Sequence, residues 1–325
     1  MAFEALSAHL PRLATLPCGD EPLPALPAAP LGSFGDDLVL PSGDRLSVRA
    51  VVRGDADRLV IDFRDSDPHA RAEGFGLDPD DAALVGVLAT CHALGVPTDR
   101  RWLERVDIQI DPQRWIGHGP ASDPGRRAMS LARAFDATLG ALASSWPSRV
   151  GAGSCTVGAV VQLECDGEVV CEAIAGGEGA TPSRRGRAGW TSPVLGMVST
   201  AAFVQWMSIT QCSRLQSGGG GARHGGDGVE RTYAVSRDTT AIVGIDRLLN
   251  PPHGIDRAGP PRPACVEYED AAGSTVRVRP WTPFELPAGS TLRIETAGGA
   301  GHGFGGYGDI EFDPSDWFGS KDDGH

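Results

Sequence analysis

The sequence predicts an α+β protein with an antiparallel, β-rich body, about two packed helices and a glycine-rich bundle. Three observations support this class. Many short runs of apolar residues lie between Gly, Asp and Pro turn residues, which indicates strands. Only two stretches combine helix-starting residues with apolar residues at helical spacing. Two long glycine runs, 217–228 and 296–309, are each bordered by a strand-like segment.

The glycine runs are predicted to pack as extended backbone and not to act as flexible linkers. They contain single Arg, His, Tyr and Asp residues in place of the serines typical of linkers. Because glycine has no side chain, segments in a polyproline-II-like conformation can approach one another closely. We therefore expect a bundle of polyproline-II-like extended segments.

The N-terminal part of the chain predicts an extended arm followed by a hairpin. Residues 1–36 are rich in proline, and the prolines are too closely spaced for a helix or a central strand. A short strand is predicted at 38–40. Alternating apolar residues at 46–52 and 59–63 flank a Gly-Asp turn, which predicts an antiparallel hairpin.

Two helices are predicted in the second region, residues 37–150. An aspartate N-cap followed by proline predicts a helix over 79–94, which ends at a glycine. A second helix is predicted over 126–146, where Leu and Phe recur at three- and four-residue spacing on one face. Between them, a strand is predicted at 106–110.

The third region, residues 151–312, is predicted to be β-rich and to include the glycine bundle, and 313–325 forms an acidic tail. The segment 194–211 is compatible with a helix or with a strand and a bend, because its periodicity does not distinguish them. An Asp-Gly turn at 166–167 predicts a hairpin. Strands are predicted at 156–163, 169–174, 230–235, 240–243, 265–269, 275–279 and 291–295.

The composition argues against several partners and chemistries. A net charge of −13 disfavours nucleic acids and anionic membranes as partners. The only lysine is Lys321, so the chain has no P-loop lysine for nucleotide phosphates and no interior lysine for a Schiff base. The basic residues at 184–187 are compatible with a solvated loop or with an anion site.

The cysteines and the hydropathy pattern predict a reduced, cytoplasmic protein. The seven cysteines form no Cys-x-x-Cys pair, and no His-x-x-x-His is present, so we expect no metal site. No stretch approaches 18 uninterrupted apolar residues, and the sequence does not start with a basic segment followed by an apolar run.

Three segments of the sequence, 59–68, 217–228 and 287–309, carry a recognisable pattern. Together they resemble the hydantoinase B family, which includes subunits of hydantoinases, 5-oxoprolinases, and acetone and acetophenone carboxylases. Order and spacing agree over residues 38 to about 310. The first segment is the strand and loop from Leu59 to Pro68, the second is the run from Ser217 to Gly228, and the third is the stretch from Pro287 to Asp309.

The chain also departs from the family pattern. The resemblance covers only the C-terminal half of the family's longer subunit, and the N-terminal half, with its His and Asp residues, is expected to have no counterpart here. Gln216 replaces an aspartate before the first glycine run, and His224 occupies an arginine position. The second run is longer around His302. We expect a paralogue that kept the scaffold and lost or changed its chemistry.

In size, the chain is similar to the small epsilon-type subunits of acetophenone carboxylases. This resemblance implies an accessory subunit of an ATP-dependent complex that carboxylates an aromatic ketone. ATP and bicarbonate are then expected on the partner subunits, which would be of the actin-like kinase type and the full-length hydantoinase-B type. No cofactor is expected in this chain. Two alternatives remain open: a cyclic-amide hydrolase subunit of the hydantoinase or lactamase type, and a non-catalytic docking module.

The candidate site residues lie in or beside the glycine runs. Arg223, His224 and His302 are the candidate catalytic residues, because Arg and His can bind a carboxylate or phosphate and His can transfer a proton. All three can equally satisfy carbonyl groups of irregular backbone. Candidate residues for binding substrate or a partner are Asp62, Asp65, Gly218, Gly219, Gly220, Gly221, Tyr307 and Asp309.

Overall fold

The computed structural model describes residues 6, 10–26, 30–54, 57–190, 198–199 and 204–305. Within them, two helices and fourteen strands are present, and the strands form three sheets. The helices are α1 (Pro79–Leu94) and α2 (Pro124–Ala143). The strands are β1 (Leu31–Val39), β2 (Arg45–Gly54), β3 (Leu59–Asp62), β4 (Val106–Gln109), β5 (Ala159–Cys165), β6 (Glu168–Ile174), β7 (Val198–Ser199), β8 (Met207–Arg214), β9 (Gly228–Val235), β10 (Thr239–Ile245), β11 (Cys265–Glu269), β12 (Thr275–Arg277), β13 (Phe284–Leu286) and β14 (Thr291–Glu295). The α+β class and the mainly antiparallel pairing are confirmed.

The first sheet has the order β1-β2-β3-β4, and both helices belong to this part of the chain. The predicted hairpin is present, since β2 and β3 pair in antiparallel register. In contrast, β3 and β4 are parallel, because the connection between them crosses over through α1. β1 begins at Leu31, within the stretch predicted to be an extended arm.

Local capping explains where the helices begin. The Asp78 carboxylate accepts a hydrogen bond from the Asp81 N–H at 2.8 Å, and the Asp123 carboxylate accepts one from the Arg126 N–H at 2.9 Å. In both helices a proline follows the cap, where no N–H is needed. α1 has the predicted bounds and ends at Gly95, whose φ is 67°. α2 begins and ends two or three residues earlier than predicted.

The second sheet has the order β13-β10-β5-β6-β7, and the third has the order β12-β11-β14-β9-β8. They pack on each other around one core, while the other face of the second sheet contacts the core of the helices. β5 shows this arrangement, because adjacent Val160 and Val161 are buried in different cores. A strand that is covered on both faces, such as β5, has apolar residues at consecutive positions and not at alternate ones.

Most strand predictions in this region are confirmed, with two differences. β11 and β14 have the predicted bounds, but the short strand β13, Phe284–Leu286, was not predicted. The ambiguous segment 194–211 ends in strand β8, Met207–Arg214. Residues 191–197 and 200–203 of this stretch lie outside the described residues.

The two glycine runs pack against each other, and segment 296–303 lies among four neighbouring segments. Its N–H and C=O groups bond residues at 153, 177–180, 219–229 and 255–262. For example, the Gly219 N–H donates to the Gly299 carbonyl, and the Gly299 N–H donates to the Gly226 carbonyl, both at 2.8 Å. The packed glycine bundle is therefore present. Its polyproline-II-like conformation stays a prediction.

Close backbone approach explains why glycine is needed inside this bundle. A Cβ atom built at Gly225 would lie 1.8 Å from the Gly299 carbonyl oxygen, far below any possible contact. A Cβ atom at Gly299 would lie 2.0 Å from the Glu178 carbonyl oxygen. At Gly220, in the same run, a Cβ atom would meet nothing within 4 Å.

We predict that Gly225→Ala destabilises the fold by at least about 3 kcal/mol, because backbone atoms, which cannot rotate away, would have to separate. The matched control Gly220→Ala should change the free energy of unfolding by less than about 0.5 kcal/mol. Urea unfolding of both variants measures this. Equal effects of the two substitutions would show that the bundle is not closely packed at Gly225.

Candidate functional site on the glycine bundle

The structure brings two of the candidate catalytic residues together through their backbones. Arg223 and His302 form an antiparallel bridge, in which each N–H donates to the other residue's carbonyl at 2.9 Å. The bridge joins the two glycine runs side by side. Arg223 and His302 are therefore neighbours because their backbones hydrogen-bond where the two glycine runs pack together, and not because their side chains interact.

The side chains of these residues differ in their surroundings. His302 is 7% exposed, and its Nε2 lies 3.3 Å from the Pro147 carbonyl oxygen. Arg223 is exposed and donates to the Ala222 carbonyl at 3.3 Å. His224 is exposed, and its carbonyl accepts a hydrogen bond from the Gly186 N–H. His302 thus satisfies a backbone carbonyl, while Arg223 and His224 face solvent.

The four glycines before Arg223 do not present four free N–H groups to an anion, because two of these groups are already hydrogen-bonded. The Gly218 N–H donates to the Asp227 carboxylate at 2.9 Å, and the Gly219 N–H donates to the Gly299 carbonyl. Asp227 also accepts from the Ser217 N–H, so it ties the start of the run to its end. An anion near this run would therefore meet the side chains of Arg223 and His224 more readily than these two amides.

Glu178 organises the basic loop at the edge of the bundle. Its carboxylate, 4% exposed, accepts hydrogen bonds from the guanidinium groups of Arg184 and Arg187 at 2.7 to 3.1 Å. Burial raises the pKa of this carboxyl group, but the bonds from the two arginines outweigh it and hold the pKa at about 2. The loop is adjacent to His224 through the Gly186 N–H.

The Asp62 and Asp65 candidates lie elsewhere, at the end of β3. Asp62 is bonded by Arg64 at 2.7 Å and by Arg53 at 3.2 Å, which lower its pKa together with the Arg64 backbone N–H. Asp65 is exposed. Within the described part of the chain, the hydrogen bonds and ion pairs of the Asp62 carboxylate go to Arg53 and Arg64 and not to the glycine bundle.

Tyr307 and Asp309 lie outside the described residues. Within residues that the structure describes, no group of three or more His, Cys, Asp and Glu side chains is placed to hold a metal ion. In the same residues, neither helix combines the length and apolar character needed to cross a membrane.

A buried charge cluster lies beneath the bundle and was not predicted. Arg133 on α2 bonds the carboxylates of Asp36, Asp136 and Asp246 at 2.5, 2.6 and 3.0 Å. Arg247 bonds Asp36 at 2.8 Å and Asp136 at 3.1 Å. The five side chains are at most 3% exposed. Together they join β1, α2 and the end of β10.

The cluster contains three carboxylates and two guanidinium groups. The pKa values of two of its acids, Asp36 and Asp136, are shifted in opposite directions. Burial raises the pKa of Asp36, but Arg133 and Arg247 outweigh it and leave this pKa below its ordinary value. Burial dominates at Asp136 and raises its pKa. Thr156 donates to Asp136 at 2.7 Å, and the Asn250 amide donates to Asp36 at 2.8 Å.

His253 lies beside this cluster and connects it to the bundle. Its ring packs on Phe34 with centroids 4.1 Å apart, and its carbonyl accepts from the Gly153 N–H at 2.8 Å. Both ring nitrogens are buried, and neither makes a hydrogen bond to a residue that the structure describes. Burial lowers the pKa of His253 to about 4; Asp36 opposes this shift, while Arg247 and Arg133 add to it.

Sequence reasoning missed Glu178 and the charge cluster for different reasons. Glu178 is a single acidic residue among small residues, and nothing in its spacing points to the arginines that follow. Arg133 and Asp136 did carry a signal, because they interrupt a helix whose neighbouring positions are Ala, Leu and Phe. Charged side chains on a buried helix face require partners. Their charged partners outside α2, which are Asp36, Asp246 and Arg247, are more than 90 residues away in sequence and could not be identified.

Comparison with known proteins identifies relatives. The sequence model of the Hydantoinase B/oxoprolinase family matches residues 23–308. An uncharacterized protein of Schizosaccharomyces pombe is 25% identical over 218 residues, which cover 64% of this chain and 17% of the yeast protein.

Two solved structures share the fold. The ATP-dependent caprolactamase of Pseudomonas jessenii matches 85% of this chain with a TM-score of 0.65 and 16% identity. The nucleotide-free structure of acetone carboxylase matches 93% with a TM-score of 0.66 and 13% identity. The match covers 52% of the caprolactamase chain and 46% of the acetone carboxylase chain, so this chain spans about half the length of these proteins or less.

We predict that His253 makes stability depend on pH. Because its folded pKa of about 4 is below the ordinary 6.5, the unfolded chain binds more protons between these values, and stability falls as pH decreases from 6.5 to 4. His253→Gln should reduce this loss by about 2 kcal/mol. Urea unfolding at several pH values measures it.

The comparison with His253→Gln is needed because Asp136 acts in the opposite direction. Its raised pKa means that the folded chain binds a proton more readily there, which stabilises the fold as pH decreases. Identical pH dependence in the parent and the variant would contradict a neutral, buried His253.

We predict that His302→Ala lowers the free energy of unfolding by about 2 kcal/mol, because a buried ring and its bond to the Pro147 carbonyl are lost. Arg223→Ala and His224→Ala, on exposed side chains of the same bundle, should change it by less than about 0.5 kcal/mol. Thermal unfolding distinguishes them. An unchanged His302→Ala variant would mean that His302 has no structural role.

Proposed function

The chain belongs to the hydantoinase B/oxoprolinase family, and from this we propose that it is a subunit of an ATP-dependent complex that carboxylates an aromatic ketone, of the acetophenone type. The observation that carries the proposal is the fold shared with acetone carboxylase over 93% of the chain. The match covers 46% of the acetone carboxylase chain.

Partner subunits would supply the nucleotide chemistry in this proposal. ATP and bicarbonate would bind subunits of the actin-like kinase type and the full-length hydantoinase-B type. The composition supports such a division, because the chain's one lysine is Lys321 and a P-loop lysine is absent. This subunit would then complete and position a site for the ketone.

The solvent-facing side of the glycine bundle is the part of this chain that we assign to that role. Arg223 and His224 are exposed there, and the Glu178 carboxylate holds Arg184 and Arg187 beside them. Fixed guanidinium groups favour a carboxylate or phosphate, the kind of group that develops when a ketone is activated and carboxylated. His302 would support the bundle and not take part in proton transfer.

A second candidate function is a subunit of a cyclic-amide hydrolase. It is favoured by the fold shared with the ATP-dependent caprolactamase at a TM-score of 0.65. Both functions couple ATP to an attack on a carbonyl carbon, and they differ in substrate. Bicarbonate distinguishes them, because a carboxylase consumes it and an amide hydrolase does not.

We predict that this chain, co-purified with kinase-type and full-length hydantoinase-B-type subunits from the same genome, supports ATP hydrolysis that depends on both an aromatic ketone and bicarbonate. Omitting this chain should reduce turnover at least about tenfold, since the site would be incomplete. Labelled bicarbonate incorporation and phosphate release measure this.

The controls separate the remaining functions. ATP hydrolysis that depends on a lactam and not on bicarbonate would favour the hydrolase. Hydrolysis of ATP by the isolated chain, or full activity of a complex without it, would contradict a subunit role. Arg223→Ala tests the bundle face, because it should lower turnover without lowering stability.

A further inference from the structure

Four arginines form an exposed basic surface on this acidic protein. We call Arg184, Arg185, Arg187 and Arg223 the arginine face. Arg184 and Arg187 keep 46% and 61% of their side-chain surface exposed although they bond Glu178, and the other two are also exposed. The Gly186 N–H donates to the carbonyl of the residue after Arg223, so the loop and the glycine run are adjacent.

Two carboxylates beside this surface, among the residues that the structure describes, are engaged in hydrogen bonds. Glu178 is buried and accepts bonds from two of the four arginines. Asp227 accepts from the backbone N–H groups of Ser217 and Gly218. The nearby Asp256 and Arg257 carry opposite charges and add no net charge. The arginine face therefore keeps an excess of positive charge on a chain whose net charge is −13.

The C-terminal segment, residues 306–325, starts next to this surface. The Ala222 N–H donates to the Gly303 carbonyl at 2.9 Å, and a Cβ atom on Gly305 would lie 2.8 Å from the backbone of Gly221. The last described residue is thus adjacent to the run that carries Arg223.

The sequence of this segment is complementary in charge to the arginine face. It contains six acidic residues and one lysine, together with four aromatic residues. The acidic residues are Asp309, Glu311, Asp313, Asp316, Asp322 and Asp323. An aromatic contact to arginine is already present on this surface, where the Arg187 guanidinium lies 5.7 Å from the centre of the Trp190 ring.

We infer that the arginine face is the docking site of the acidic C-terminal segment 306–325 of the same chain. Attachment at Gly305 gives the segment an effective concentration on the order of millimolar, so individually weak charge contacts suffice. Salt weakens such contacts because it screens exposed charges. This inference does not depend on the proposed function, since it concerns the isolated chain; in a complex, the segment and a substrate anion would compete for the same arginines.

The single lysine of the chain provides a direct test on the full-length protein. A lysine-specific endoprotease cleaves only after Lys321, so the cleavage rate reports how accessible the segment is. At low salt, cleavage should be at least about tenfold slower than in a free peptide of residues 306–325. Raising the salt to about 0.5 M should bring the rate close to that of the peptide at the same salt.

Substitutions locate the contact. The double substitution Arg185→Ala with Arg223→Ala removes the two arginines that do not bond Glu178, and it should raise the cleavage rate severalfold at low salt. Arg277→Ala, on the exposed strand β12, is the matched control and should leave the rate unchanged. Unfolding measurements on the same samples confirm that the variants are folded, and the salt series on the parent protein tests the contact independently.

Three outcomes would overturn the inference. The first is a low-salt cleavage rate equal to that of the free peptide. The second is equal acceleration by the double substitution and by Arg277→Ala. The third is protection that increases with protein concentration, because the segment would then dock on a second copy and not on its own chain.

Discussion

The close approach of Gly225 to the carbonyl oxygen of Gly299 is the constraint on which the bundle depends. With 1.8 Å between that oxygen and the position of a Cβ atom, the two runs can lie side by side only if their backbones carry no side chain there. Once in place, segment 296–303 can bond four other segments at once. Backbone groups that would otherwise be buried without partners are satisfied in this way, although the segments form no regular sheet.

A short chain of hydrogen bonds connects the bundle to the buried charge cluster. The Ala300 N–H donates to the Gly153 carbonyl, and the Gly153 N–H donates to the carbonyl of His253, whose ring adjoins the buried charge cluster. The cluster in turn joins β1 and α2 to the end of β10. A buried ion cluster is weak evidence for added stability, because desolvation opposes it. Its geometry instead restricts how the helical part and the bundle can be oriented.

The sequence predicts those parts of the fold whose determinants are local. α1 has its cap, proline and terminal glycine within a few residues of its ends, and its bounds were predicted correctly. The parallel pairing of β3 and β4 depends on a crossover of more than 40 residues and was not predicted. Likewise, Arg133 bonds Asp36 and Asp246, which are distant in sequence, and no local sequence pattern predicts these contacts. At the candidate site, the sequence identified Arg223 and His302 as an Arg and a His within the glycine runs. Their roles differ because His302 is buried and Arg223 is exposed, and this difference appears only in the folded chain.

The geometry of the bundle favours binding over proton transfer within this chain. A general base needs a partner that fixes its orientation and an open position for the substrate. The His302 ring is oriented by the Pro147 carbonyl but is buried, and His224 is exposed without a carboxylate bonded to it in the part of the chain that the structure describes. His302 thus has a fixed orientation but is buried, while His224 has access to solvent but no bonded carboxylate among the described residues to orient it. Arginines require no such pairing, since they stay charged and bind anions from a fixed surface. A complete catalytic site would therefore need groups beyond the described residues.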